Sequence, residues 1–324
     1  TKICEVAREL GVSGFKVGVV EGDDLLGRLP DLLGRGHELR NMDSGAPLAP
    51  RLSQVTSANA YIGARPVAEA LDGGALIVLC GRVTDTALAL GPLVHEFGWA
   101  ADDWDRLAAG TICGHILECG AQATGGNFTR WWEVPELWKV GYPIAEVEAS
   151  GSFVVTKHPG TGGMVTVDTV SEQLVYEMGD PKSYITPDVI ADFTSIRLAQ
   201  EGVDRVRVSG IAGRAKTPFL KISASYLDGY KAAGQVTVSG PRAIEKARLA
   251  AEIVWKRLER AGVTFAEDDR VTELLGVSAV LPGILAAPSD PPEVVLRLAV
   301  RDADRGKVDR FGKGDTTVRV RKPL

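Results

Sequence analysis

Cysteine is scarce and nowhere arranged as CxxC: Cys4, Cys80, Cys113 and Cys119 lie apart, in apolar or helix-like surroundings. That argues against a disulfide framework and for free thiols in a reducing compartment. No apolar run nears the roughly 20 residues a helix needs to cross a bilayer. The start of the chain has neither signal- nor transit-peptide character, so a cytoplasmic protein without a membrane partner is expected. A GxGxxG after the first strand-like run is missing, as is a Walker lysine, which disfavours dinucleotide and P-loop sites and leaves no cofactor implied. Basic residues are scattered under a net charge of −5, so there is no electrostatic footprint for nucleic acid.

What is present is an ordinary globular composition, 45% apolar and 24% charged over 324 residues, long enough for two domains or one with an appendage. The expected fold class is α/β: a parallel-sheet N-terminal part with helices, then an α+β part of mixed or antiparallel strands. The expected divisions are 1–149, 150–281 and a loop-and-tail segment, 282–324. Residues 1–12 read as a helix entered without a cap or an initiator methionine. Phe15 to Val20 and Ala75 to Cys80 read as buried strands, with helices over Leu25 to Leu33 and Ala58 to Leu71, the latter redirected near Pro66. Glu21 to Asp24, at the end of the first strand, suit a helix cap better than a ribose or metal site. The loop 34–54 is long enough to suggest a role. Further on, Glu172, Gln173 and Tyr176 are read as opening a helix. DRVRVSG, LKISASYL and QVTVSG read as strands, and Pro241 to Ala261 as a helix with proline at its first position. The closing FGKGDTTVRVRKPL has no packing pattern.

Residues 80–127 hold most of the unusual polar chemistry. The second strand ends in Gly81, Arg82 and Asp85, where open α/β sheets put their ligands. A helix is expected from about Asp105 to Cys119, with Asp102, Asp103 and Asp105 at its N-terminus. Ala108, Ile112, His115 and Cys119 share one stripe at 100° per residue, with Thr111, Glu118 and Gln122 beside it. Gly110 and Gly114 leave a notch where another backbone or a ligand could come close. Thr124, Gly125, Gly126 and Asn127 follow as a glycine turn able to offer backbone amides to an anion or carbonyl. The bland alternative is a core histidine satisfied by Glu118. His115, Glu118 and Cys119 are also spaced so that they could share a metal ion, but no second ligand cluster is visible and no metal is expected. Cys80 suits core packing better than nucleophilic chemistry.

Phe128, Trp131, Trp132, Trp138 and Tyr142 either wall an apolar pocket or form a packing lid. Residues 150–170 read as two β-rich runs around Lys157, His158, Pro159, Gly160, Thr161, Gly162 and Gly163. This second glycine turn either clamps a carboxylate or phosphate or is a basic hairpin turn. If it is a clamp, it is expected to fold over the end of the His115 helix and enclose one polar hollow.

Several long motifs in order carry a resemblance. GRVTDTALALGPLVHEFGW, DRLAAGTICGHILECGAQATGGNF, FVVTKHPGTGGMVTVDTVSEQLVYEMGDPKSYITPDV and DRVRVSG together resemble the acyclic terpene utilisation protein AtuA family. The resemblance covers nearly the whole chain and is densest from Gly81 to Gly210. It implies that the chain is truncated at both ends, and it implies breakdown of citronellol- or geraniol-type terpenes through acyl-CoA intermediates. The expectation is a lyase or hydratase of a branched acyl-CoA or carboxylic acid. His115, Glu118 and His158 would serve proton transfer, and Gly125, Gly126 and Asn127 an oxyanion. Arg82, Asp85, Gln122, Thr124, Lys157, Gly160, Thr161 and Gly162 would serve substrate binding. The alternative is a non-catalytic subunit that binds a CoA thioester or a partner enzyme. The expected partner is a small molecule, with a homo-oligomer compatible with the sequence.

Overall fold

The computed structural model of the chain describes residues 2–284, 286 and 288–315. Two compact units divide after Tyr226. The expected break at 149/150 falls inside the first of them, within a hairpin.

The first unit opens with α1 (Lys2–Glu9), β1 (Lys16–Val20) and α2 (Leu29–Gly34), followed by β2 (Val55–Ala60), α3 (Arg65–Asp72) and β3 (Ala75–Cys80). β1 and β3 pair in parallel, as an α/β reading requires. The expected helix from Ala58 is a correction: residues 55–60 form a strand paired antiparallel to a segment more than 160 residues away. The helix starts only at Arg65, with Pro66 in its first turn, where a missing N–H is harmless. Two helices come next, α4 (Ala87–Phe97) and α5 (Trp104–Glu118). β4 (Pro143–Val147) and β5 (Phe153–Lys157) then form the hairpin across the expected boundary.

Residues after Lys157 do not return as a second β-run. Thr166 caps α6 (Val167–Val175) through its hydroxyl, in a reciprocal box with Thr169, and this local capping outweighs the β-branched run. Gln173 therefore ends that helix instead of opening it. Short strands β6 (Tyr184–Ile185), β7 (Ile190–Asp192), β8 (Arg197–Gly202), β9 (Arg205–Ser209), β10 (Ala212–Arg214) and β11 (Ile222–Tyr226) complete the unit. They form the sheets β10-β7-β6 and β4-β5-β9-β8, with β11 on β2. α5 lies at the middle of the main core, which buries Leu90, Ile112, Ile116, Phe153, Val155 and Val206.

The second unit holds β12 (Tyr230–Ser239), α7 (Ala243–Arg260), β13 (Arg270–Leu275), β14 (Glu293–Asp302) and α8 (Arg305–Asp315), with sheet order β12-β14-β13. α7 begins two residues later than expected, because Arg242 takes a left-handed conformation at its N-cap and leaves Pro241 outside. Ala247 and Ala251 are buried, with Ile244 and Trp255 packed against the same core, and Lys256 pairs with Glu252 at 2.5 Å. Part of the closing segment packs after all: Phe311, on α8, is fully buried against Trp255 and Phe265. Residues 316–324 lie outside the described residues.

Candidate functional site

The site begins with the close approach of α5 to the start of α4. Asp103 caps α5, accepting from the backbone N–H of Arg106 at 3.4 Å, and residues Leu107 to Ile116 are all buried. A Cβ on Gly114 would lie 2.7 Å from both Cα and O of Thr86. The expected notch is therefore filled by backbone, and it seats His115 beside the 84–86 turn that follows β3.

The other end of that turn is fixed by Asp23, which accepts from the Arg82 backbone N–H and from Asn59 Nδ2, both at 2.8 Å. These bonds, the Arg82 amide first, hold its carboxyl below the ordinary range. Asp23 is thus a structural acceptor, and any Cβ at Gly81 would collide with it.

His115 is 1% exposed. Its Nε2 lies 3.0 Å from the Gln173 carbonyl oxygen, and a carbonyl can only accept, so Nε2 carries hydrogen. Gln173 returns the contact, its Nε2 donating to the His115 carbonyl at 2.7 Å. The rings of Tyr184 and Phe193 stand edge-on at 5.5 and 5.3 Å. Nδ1 is left 3.3 Å from Glu118 Oε1, close enough for an ion pair but outside hydrogen-bond geometry. Nδ1 is therefore the position at which a proton can be exchanged, and Glu118 is its nearest acid–base partner.

His115 and Glu118 open onto a cleft of about 270 Å³ in the first unit, lined also by Tyr61, Thr84, Asp85, Thr86, Glu177, Tyr184, Ile185, Thr186, Pro187, Phe219 and Lys221. The Thr84 and Thr86 hydroxyls have no hydrogen-bond partner among the described residues. Burial, then the charges of Glu118, Asp85 and Glu177, push the Tyr184 hydroxyl well above its ordinary range. Burial also raises the Cys119 thiol; the Gln173 side chain opposes this and the same three carboxylates add to it. Cys119 is accordingly a poor thiolate. Arg82 sits at the rim, over the Tyr61 ring at 5.2 Å and 3.8 Å from Asp85.

The structure thus brings Asp85, His115 and Glu118 to one cleft, with Arg82 near it. It does not bring the two glycine turns there. Gly125 and Gly126 N–H donate to the Gln122 and Ala121 carbonyls at 3.0 and 2.8 Å, so neither is free for an oxyanion. Thr124 donates its hydroxyl to Ala121 O at 2.9 Å, and Asn127 and Gln122 bond each other at 3.4 Å.

Lys157 is held by Asp204 at 3.3 Å and by the Thr161 carbonyl at 2.9 Å. His158 is exposed, and its Nδ1 donates to Pro159 O at 2.9 Å. Thr161 caps the turn on the His158 carbonyl at 2.7 Å. Gly160 needs its left-handed φ of 80°, while Gly162 lies against the Glu136 carbonyl. The turns do meet, Met164 N–H donating to Thr124 O at 2.9 Å, but they pack backbone to backbone. Trp131, Trp132, Trp138 and Tyr142 are exposed, while Phe128 is buried. Among the described residues, no three His, Cys, Asp or Glu side chains converge to hold a metal ion.

Tyr61, Gln173, Glu177, Tyr184 and Lys221 went unassigned because they come from separate segments with no shared motif. Thr84 and Thr86 flank Asp85 in RVTDT and carried a usable signal: small hydroxyls beside a carboxylate just past a strand end.

This is an α/β protein with a buried histidine and a partly buried glutamate lining one small cleft. Residues 1–323 match the model of the acyclic terpene utilisation family protein AtuA, and the chain belongs to that family. Membership ties it to acyclic terpene utilisation. The chain matches no curated protein and no solved structure. Among the described residues, no helix is long and apolar enough to cross a membrane.

Proposed function

We propose that the chain is a cytoplasmic enzyme of acyclic terpene catabolism, of lyase or hydratase type, acting on a branched acyl-CoA or the corresponding acid. The observation that carries this reading is the fixed imidazole. With Nε2–H bound to a backbone carbonyl, proton exchange is confined to Nδ1, beside Glu118. Removal of water from a hydroxyacyl chain needs a base for the proton on carbon and an acid for the departing hydroxyl, and such a pair supplies both. Thr84 and Thr86 are placed to orient the reacting group by donating hydrogen bonds.

A volume of about 270 Å³ accommodates a branched chain of about ten carbons but not a whole CoA. Lys221 also lines an adjoining groove of about 490 Å³ with Arg51, and these two cations suit the phosphates of a thioester lying outside the cleft. The test is incubation with a panel of branched acyl-CoAs, followed by mass spectrometry. His115→Gln is expected to lower turnover by roughly 100-fold or more. Undiminished turnover in that variant would remove His115 from the chemistry, and saturable binding without turnover in the wild type would favour the non-catalytic subunit.

A further inference from the structure

The charge at the cleft is mainly negative. Asp85, Glu118 and Glu177 all line it, against the ammonium of Lys221 and, at the rim, the Arg82 guanidinium 3.8 Å from Asp85. All three carboxylates help to raise the pKa of the Tyr184 hydroxyl, so their fields overlap at that side chain. An acidic group of this kind would mean little alone. Here two polar atoms in the same lining, Thr86 Oγ1 and His115 Nδ1, have no hydrogen-bond partner among the described residues, in residues only 2% and 1% exposed. Buried polar groups are normally paired. A hydroxyl donor and a ring nitrogen left free at one cleft point to a ligand that both accepts and donates.

We infer that the cleft admits an uncharged, hydroxyl-bearing end of its ligand and excludes a free carboxylate. This rests on the cleft being the substrate site and narrows what that site takes. A hydroxyl satisfies both orphans, accepting from Thr86 and donating to His115 Nδ1. A carboxylate in the same place meets three like charges, and each such charge at several ångströms across a wet cleft weakens binding about threefold.

The experiment is titration of the protein at pH 8 with 3,7-dimethyloctan-1-ol and with 3,7-dimethyloctanoate. Binding is followed on the imidazole resonance of His115, identified by its loss in His115→Gln. The alcohol is expected to bind at least tenfold more tightly than the carboxylate. Asp85→Asn combined with Glu177→Gln is expected to narrow that ratio to about threefold or less. If the double variant does not fold, Glu177→Gln alone, at an exposed position, should still raise carboxylate affinity several-fold without changing that of the alcohol. A carboxylate that binds as tightly as the alcohol, or a ratio untouched by neutralisation, overturns the inference while leaving the cleft as a binding site. If neither compound moves the His115 resonance, the cleft is not the substrate site and both readings fall.

Discussion

Replacing Gly114 by alanine sets two effects of opposite sign against each other. In the interior of an exposed helix the change would stabilise by about 1 kcal/mol, since alanine loses less backbone entropy than glycine. At Gly114 the new Cβ would lie 2.7 Å from Cα and O of Thr86 and 3.1 Å from its carbonyl carbon. Backbone cannot rotate away as a side chain can, so α5 and the start of α4 must separate by most of an ångström. Overpacking of this kind costs about 1–3 kcal/mol, here at the upper end. The net loss should be about 2 kcal/mol, which lowers the melting temperature by about 4–8 °C for a unit of this size.

Gly110 is the internal control. Its added Cβ would meet Leu90 Cδ1 at 2.5 Å and the Trp99 ring at 3.2 Å, which are side-chain ends that can shift, so Gly110→Ala should stay within about 1 kcal/mol of the parent. Calorimetric unfolding of the two variants reads the difference directly. A Gly114→Ala protein as stable as the parent would mean that the two backbones do not approach as described, and the seating of His115 beside Thr86 would fall with it.

Two further outcomes follow from groups away from the cleft. Asp188 accepts from the Ala64 N–H through both oxygens, at 2.9 and 3.0 Å, yet burial raises its pKa above the ordinary 3.8. The folded state then holds a proton that the unfolded chain has released. The stability this gives is complete below that ordinary value and is lost as pH rises through the raised one. Asp188→Asn keeps an acceptor and cannot ionise, so its melting temperature relative to wild type should rise between pH 4 and pH 7; a constant difference would contradict the assignment. Lys157→Ala should lower stability by about 2 kcal/mol by leaving the partly buried Asp204 without its cation; an unchanged urea midpoint would show that the pair is not structural.

Local signals made some of this molecule readable in advance. α5 was legible from its aspartates and its 3.6-residue stripe, β1 and β3 from short apolar runs, and the His115–Glu118 pair from three-residue helical spacing. β2 was not, because Ala58 and Ala60 suit a helix and only the distant β11 makes them a strand. The second glycine turn misled for a related reason. Its Lys157 and His158 had the right chemistry, but Asp204 and Pro159 O, which occupy them, leave no mark near the turn itself. The cleft's far wall, Glu177, Tyr184 and Lys221, was invisible because tertiary packing alone assembles it.

The mutual clasp of His115 and Gln173 carries a consequence for how such sequences drift. Each residue satisfies a main-chain carbonyl of the other from its own side chain, deep in the core. Exchange of Gln173 alone strips the His115 carbonyl of that donor, and exchange of His115 leaves the Gln173 carbonyl to the Tyr176 N–H at 3.2 Å, so the two positions are bound by epistasis. Among descendants of this fold they should be retained together or abandoned together, whatever becomes of the surface around them.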